Sequence, residues 1–260
     1  MDLKIKDKII VVSGGARGIG AGITKILAQE GALPVIIGKD EVDNKAFVDK
    51  MASLGLKVDS FTADLSHPAP CKQVIEAIVE KYGTLHGIVN NAGVNDNIGL
   101  QYGNYGGFVA SYHKNVVHYY LLVQNALPEL IKNEGVILNI SSKVAETGQG
   151  DTSGYAAANG ARNALTREWA VELLKYNIRV NALIISECLT PLYESWIDTF
   201  EKPEEKLKTI TDRIPLGKRM TTVDEIGNSA AFLLSPLSSH TTGQLIHVDG
   251  GYVHLDRAIK

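Results

Sequence analysis

The chain has 260 residues, 45% of them hydrophobic, enough for one large core and pointing to a single domain over 1–260. A formal charge of −3 and the lack of a basic block argue against nucleic acid or an anionic membrane as main partner. The two distant cysteines, Cys71 and Cys188, make neither a disulfide framework nor a zinc set, and no signal peptide or apolar run of about 18 residues is present, so a soluble, cytoplasmic protein is expected.

Short β-branched runs alternate with helical stretches along the chain. Ile9-Ile10-Val11-Val12 reads as a first strand and 20–29 as the helix after it. Val35-Ile36-Ile37 gives a second strand, 58–62 a third, Gly87-Ile88-Val89-Asn90 a fourth, 136–140 a fifth and 178–183 a sixth. Gln244-Leu245-Ile246-His247-Val248, before Asp249-Gly250-Gly251, gives a seventh. Continuous apolar strands spaced by helices predict a doubly wound α/β fold, a seven-stranded parallel sheet with helices on both faces. From 193 to 213 the chain turns charged and helical, with Pro203 inside it, so an excursion over about 191–213 is expected to form a lid.

Gly14, Gly18 and Gly20 follow a strand and open a helix. Glycines there allow a tight turn, let backbone approach a pyrophosphate and aim helix N-terminal N–H groups at it. A bare glycine pattern is equally compatible with an ordinary turn; the strand before it and the helix after it favour a nucleotide.

Three further features join this opening: Asn90-Asn91-Ala92-Gly93, Ser142, and Tyr155-Ala156-Ala157-Ala158-Asn159 thirteen residues after that serine. Together they resemble the short-chain dehydrogenase/reductase family, with Ser13 where a threonine is usual and Asn159 where a lysine is expected. The resemblance implies a nicotinamide cofactor, NADP or NAD, held by Gly14, Arg17, Gly18, Ile19, Gly20, Asp64, Leu65, Asn91, Ala92, Gly93, Tyr155, Asn159 and Thr190. It also implies a homotetramer. At the end of the second strand an acid would bind a ribose 2′-hydroxyl and repel a 2′-phosphate. Gly38 and Lys39 stand there instead, with Arg17 on the same side, and the two cations favour NADP; Asp40 and Glu41 lie close by.

By the same resemblance Tyr155 is the base that takes the substrate hydroxyl proton, Ser142 holds the substrate oxygen, and Asn115 supports a water relay. A tyrosine titrating near 10 must be brought about 3 pH units lower, about 4 kcal/mol, to act at neutrality. The lysine of the relatives supplies much of that and binds the nicotinamide ribose. Asn159 lies on the same helical face and can hydrogen-bond a ribose, but it carries no charge. Three explanations stand side by side: another cation such as Lys143 serves, the nicotinamide charge suffices at a more alkaline optimum, or the protein binds nucleotide with lost or reduced turnover.

The surroundings of this site are polar, with Asn95, Asp96, Gln149 and Glu187 as candidate substrate ligands along with Ser142 and Tyr155. A sugar suits carboxylates and amides, whereas steroid or acyl substrates need apolar walls. Asn91-Ala92-Gly93-Val94-Asn95-Asp96, 165–170, Thr190-Pro191-Leu192-Tyr193 and the ending from Val248 through Arg257 and Ala258 are similar to bacterial sugar dehydrogenases of the L-fucose dehydrogenase type. That likeness implies oxidation of an aldose at C1 to a lactone; a different alcohol or carbonyl substrate is the alternative. Trp196 reads as a contact between lid and core, the seven histidines show no metal-ligand spacing, and His254 is placed in a tail that reaches a neighbouring subunit's site.

Overall fold

Strands β1 (Ile9–Ser13), β2 (Leu33–Gly38), β3 (Asp59–Thr62), β4 (Gly87–Asn90), β5 (Val136–Ser142), β6 (Arg179–Ile185) and β7 (Leu245–Val248) form one parallel sheet, in the order β3-β2-β1-β4-β5-β6-β7. The computed structural model describes residues 2–256; Met1 and residues 257–260, including Arg257 and Ala258 of the ending, lie outside it. From β1 the chain winds outward through β2 and β3, then returns to β4 on the other side of β1. This reversal opens a crevice at the carboxyl ends of β1 and β4, the place where such sheets bind ligands.

Helices α1 (Gly18–Gln29), α2 (Glu41–Ser53), α3 (Pro68–Tyr82), α4 (Tyr105–Tyr112), α5 (His118–Lys132), α6 (Val144–Thr147), α7 (Ser153–Glu172), α8 (Pro191–Ile197), α9 (Pro203–Thr211) and α10 (Val223–Leu234) complete the fold. Alternation along the strands divides the core in two. Ile9 and Val11 join Ile88 and Ile137 under α3, α5 and α7, while Ile10 and Val12 join Val89 and Leu138 under α1 and α10. All are buried, which is why these strands read as unbroken apolar runs. Truncating a fully buried residue such as Ile88 to alanine costs about 2–5 kcal/mol.

Two strands extend beyond their apolar runs. Ser141 and Ser142 pair with Ile184 and Ile185, so β5 and β6 run two residues further toward the site than hydrophobicity alone indicates. The charged stretch after β6 is helical as expected, in two pieces, α8 and α9. Thr190 caps α8, its Oγ1 accepting from Tyr193 N at 3.3 Å. Among the described residues no helix is long and apolar enough to cross a membrane.

Candidate active site

The turn after β1 is shaped by close backbone packing. A Cβ on Gly20 would lie 2.1 Å from the Gly14 carbonyl oxygen, and Gly14 and Gly18 have φ of +65° and +52°. Ser13 Oγ accepts from the N–H groups of Asn91 at 2.9 Å and Ala92 at 3.1 Å, and Asn91 Nδ2 donates to the Ser13 carbonyl at 2.9 Å. The ends of β1 and β4 are thereby tied into one wall. No side chain caps the N-terminus of α1, and no acid stands in its first turn. Its free N–H groups and positive dipole end suit a pyrophosphate. Ile19 packs against the core beneath, and Thr190 lies over Gly18, whose Cβ would come within 3.3 Å of it.

The end of β2 differs from the sequence expectation in one respect. Arg17 is no free cation: its guanidinium is ion-paired with the carboxylate of Asp43, a residue of α2 that is not among the sequence candidates. Lys39 forms no ion pair among the described residues, and its charge helps hold the Asp64 carboxyl below the usual range, after hydrogen bonds from Ser66. Gly38 has a packing reason. A Cβ there would sit 2.1 Å from Asn44 Oδ1, and Asn44 is buried, donating to the Gly38 carbonyl at 3.1 Å. The Leu65 side chain is committed to the core beneath α3.

Ser142 ends β5 and Tyr155 stands in the first turn of α7, half-buried. The Tyr155 hydroxyl has no hydrogen-bond partner among the described residues. Asn115 is buried in a wide π-turn (His113–Val117) between α4 and α5. Its side chain clamps the segment after Gly93, accepting from Val94 N at 2.8 Å and donating to the Val94 carbonyl at 3.0 Å. Asn159 is fully buried, with Nδ2 donating to the Tyr155 carbonyl at 2.8 Å. Its Oδ1 accepts at 2.9 Å from Nη1 of Arg162, a buried arginine that is likewise absent from the sequence candidates.

Lys143, the cation nearest in sequence, is engaged elsewhere. It is ion-paired with Glu187 and lies over the Tyr252 ring at 4.0 Å. Tyr193 Oη donates to the other Glu187 oxygen at 2.7 Å. Burial first, then the Glu187 charge, pushes the Tyr193 phenol well up from its ordinary value. Since Ser142 pairs with Ile185, and Lys143 N donates to the Ile185 carbonyl at 2.9 Å, this ionic group flanks Ser142 across the ends of β5 and β6.

Other candidates are placed differently from one another. Asp96 faces away into α4, accepting from Ser111 Oγ at 2.8 Å with the Lys114 ammonium 3.8 Å off. Asn95 Oδ1 accepts from Asn97 N at 3.3 Å, and Gln149 is exposed in the turn between Gly148 and Gly150. Trp196 does not reach the core as expected: it is 45% exposed, edge-on to Tyr193 and Phe200 along the excursion. His254 rests on His247 of its own chain, with ring centroids 4.3 Å apart. His247 Nε2 in turn lies 3.0 Å from Glu146, so two of the histidines that look scattered in sequence meet a carboxylate in space.

The sequence profile of the family described as "Enoyl-(Acyl carrier protein) reductase" matches residues 14–253. The 3-oxoacyl-[acyl-carrier-protein] reductase FabG of Thermotoga maritima is 34% identical over 254 residues, covering 96% of this chain and 100% of that protein. L-fucose dehydrogenase of Rattus norvegicus is 33% identical over 245 residues, covering 94% of this chain and 88% of the relative. The crystal structure of Cj0485 dehydrogenase is similar with a TM-score of 0.94 and 45% identity, over 100% of this chain and 99% of that one. With the glycine turn at the β1–β4 crevice and the Ser142 and Tyr155 positions beside it, these matches along nearly the whole chain show that it belongs to the short-chain dehydrogenase/reductase family of oxidoreductases.

Proposed function

We propose that the protein is an NAD(P)-dependent dehydrogenase that oxidises an aldose such as L-fucose at C1 to a lactone, acting as a single-domain, cytoplasmic homotetramer. The observation that carries the sugar assignment is the Lys143–Glu187–Tyr193 group beside Ser142. A charged wall there favours a hydroxyl-rich substrate and disfavours an acyl chain. The likeness to L-fucose dehydrogenase points the same way, and the likeness to an acyl-carrier-protein reductase the other. The apolar face of Val117, Tyr120, Ala161, Ala164 and Leu165 on α7, α5 and the π-turn before α5 supports association of subunits.

The cofactor is held by the Gly14–Gly20 turn, the α1 N-terminus and the Asn91-Ala92-Gly93 segment, with Asp64, Leu65 and Thr190 around it. Lys39 favours NADP, while the Asp43 partner of Arg17 weakens that preference. The nicotinamide, when bound, supplies the acceptor for the C1 hydride. Ser142 orients the C1 hydroxyl, Tyr155 takes its proton as the carbonyl forms, and Asn115 steadies the floor of the site. Glu187 accepts a ring hydroxyl, Asn95 and Gln149 border the entrance, Asp96 anchors the segment behind them through Ser111, and α8 and α9 close over the entrance as a lid.

Asn159 favours a second reading, a nucleotide-binding homologue with little turnover. A panel of aldoses, polyols and 3-oxoacyl thioesters, assayed with each cofactor by the absorbance of reduced nicotinamide, separates the possibilities. Aldose-dependent reduction of NADP or NAD is expected. Turnover of thioesters alone, or tight nucleotide binding with no turnover of any substrate, overturns the sugar assignment.

A further inference from the structure

Arg162 is 3% exposed, and among the described residues no carboxylate lies within ion-pair distance of it. Its guanidinium is surrounded by the groups that build the catalytic wall. Nε donates to the Asn115 carbonyl at 2.7 Å, and Nη1 donates to the Ile140 carbonyl at 3.1 Å and to Asn159 Oδ1 at 2.9 Å. The guanidinium carbon lies 4.4 Å from the centre of the Tyr119 ring. Nη2 has only a 3.5 Å approach to Asn115 Oδ1 and faces Gly93, where a Cβ would come within 2.8 Å of it. Carbonyl dipoles satisfy most of these donors, but they do not neutralise the charge.

A buried cation without a counter-ion is costly, and the cheaper occupant of a helix face packed on Tyr119 is an aliphatic side chain. The charge is therefore informative where it stands. Tyr155, Asn159 and Arg162 are at i, i+4 and i+7 of α7, one face of the helix. The position that holds a lysine in the relatives is uncharged here, and a cation sits one turn further along with a hydrogen bond back to it. Its field reaches the neighbours: His118 is held neutral by burial first and by Arg162 second.

We propose that Arg162 is the positioning cation of this site, fixing Asn115 and Asn159 by hydrogen bonds and favouring the ionised form of Tyr155 in place of the absent lysine. Tyr155 and Arg162 stand two helical turns apart on α7, about 10 Å of helix rise. At an effective dielectric of about 20 a unit charge at that distance moves a titration by about one pH unit, less than a lysine one turn away achieves. The compensation is partial, and Nη2, the donor with spare capacity, is directed at the cofactor segment.

This inference rests on Tyr155 being the base of the proposed reaction, and its first test needs no substrate. The phenolate absorbance of the unaltered protein minus that of Tyr155→Phe, followed against pH, titrates Tyr155 alone. The difference in that curve between variants at Arg162 decides the proposal. Arg162→Gln should raise its midpoint, and the rising limb of the kcat/KM profile, by about one pH unit, whereas Arg162→Lys should keep both within a few tenths. A folded Arg162→Gln protein with lowered heat stability and an unmoved midpoint would show a structural role only. Failure of every aldose in the substrate panel overturns the sugar assignment, whereas the phenol titration decides the role of Arg162 whatever the substrate.

Discussion

The Lys143 ammonium and the Glu187 carboxylate are locked together between the ends of β5 and β6, their side chains 10% and 13% exposed. Each is the other's counter-ion, so neither can be removed without leaving a charge in a poorly solvated wall. Glu187→Ala should lower kcat/KM for the sugar about tenfold or more, since a hydrogen bond to a charged group is worth about 1.5–3 kcal/mol. The dissociation constant for the cofactor should hardly move. Lys143→Met, which strands the carboxylate, should cost about 3–5 kcal/mol of stability by denaturant unfolding. Loss of cofactor affinity with an unchanged sugar KM would place Glu187 on the other side of the cleft.

Cofactor choice turns on Arg17, which Asp43 occupies. Asp43→Ala frees the guanidinium and should tighten NADP severalfold while leaving NAD nearly unchanged. Lys39→Asp should shift the preference toward NAD. Isothermal titration of both cofactors checks the order, and equal affinities in all three proteins would remove the 2′-phosphate from this surface.

Asn159→Lys sets an ammonium against the Arg162 guanidinium. Like charges about 4 Å apart cost up to about 4 kcal/mol at an effective dielectric of 20, so the variant should unfold at lower denaturant. Its pH–rate profile should nevertheless rise about one pH unit or more earlier, because a full charge one turn from Tyr155 favours the phenolate. A variant slower than the unaltered protein at pH 7 would show that Arg162 already meets the need.

His118 offers a stability test that needs no substrate. It is buried, its Nε2 lies 3.0 Å from the Lys114 carbonyl, and burial lowers it from 6.5 to about 4. Between these values the unfolded chain binds a proton that the folded chain excludes, so stability falls as pH drops from about 6.5 to about 4, by on the order of 3 kcal/mol. His118→Gln should flatten this part of the stability curve. An unchanged difference between the two proteins at pH 7 and pH 4.5 would contradict it.

The strands are legible in the sequence because both faces of the sheet are covered, which leaves unbroken apolar runs such as Ile9-Ile10-Val11-Val12. The glycine turn is legible for a steric reason, since Gly20 sits where a Cβ has no room and Gly14 takes a φ of +65° that side chains disfavour. Partners across space are not. Asp43 reads as one more helix acid, and only the return of α2 over the turn brings it to Arg17. Asp96 looks free beside the Asn91-Ala92-Gly93 segment, yet Ser111 takes it. Arg162 reads as an exposed helix cation among small residues; its spacing from Tyr155 and Asn159 is the available signal, and its burial follows from α7 packing on the π-turn.

The most direct measurement is the rate of nicotinamide reduction with L-fucose and saturating NADP or NAD, in the unaltered protein and in Tyr155→Phe. Reduction that requires the sugar and disappears with the phenol hydroxyl is the expected result. Equal rates in the two proteins, or nucleotide binding with no reduction across the whole pH range, would contradict it.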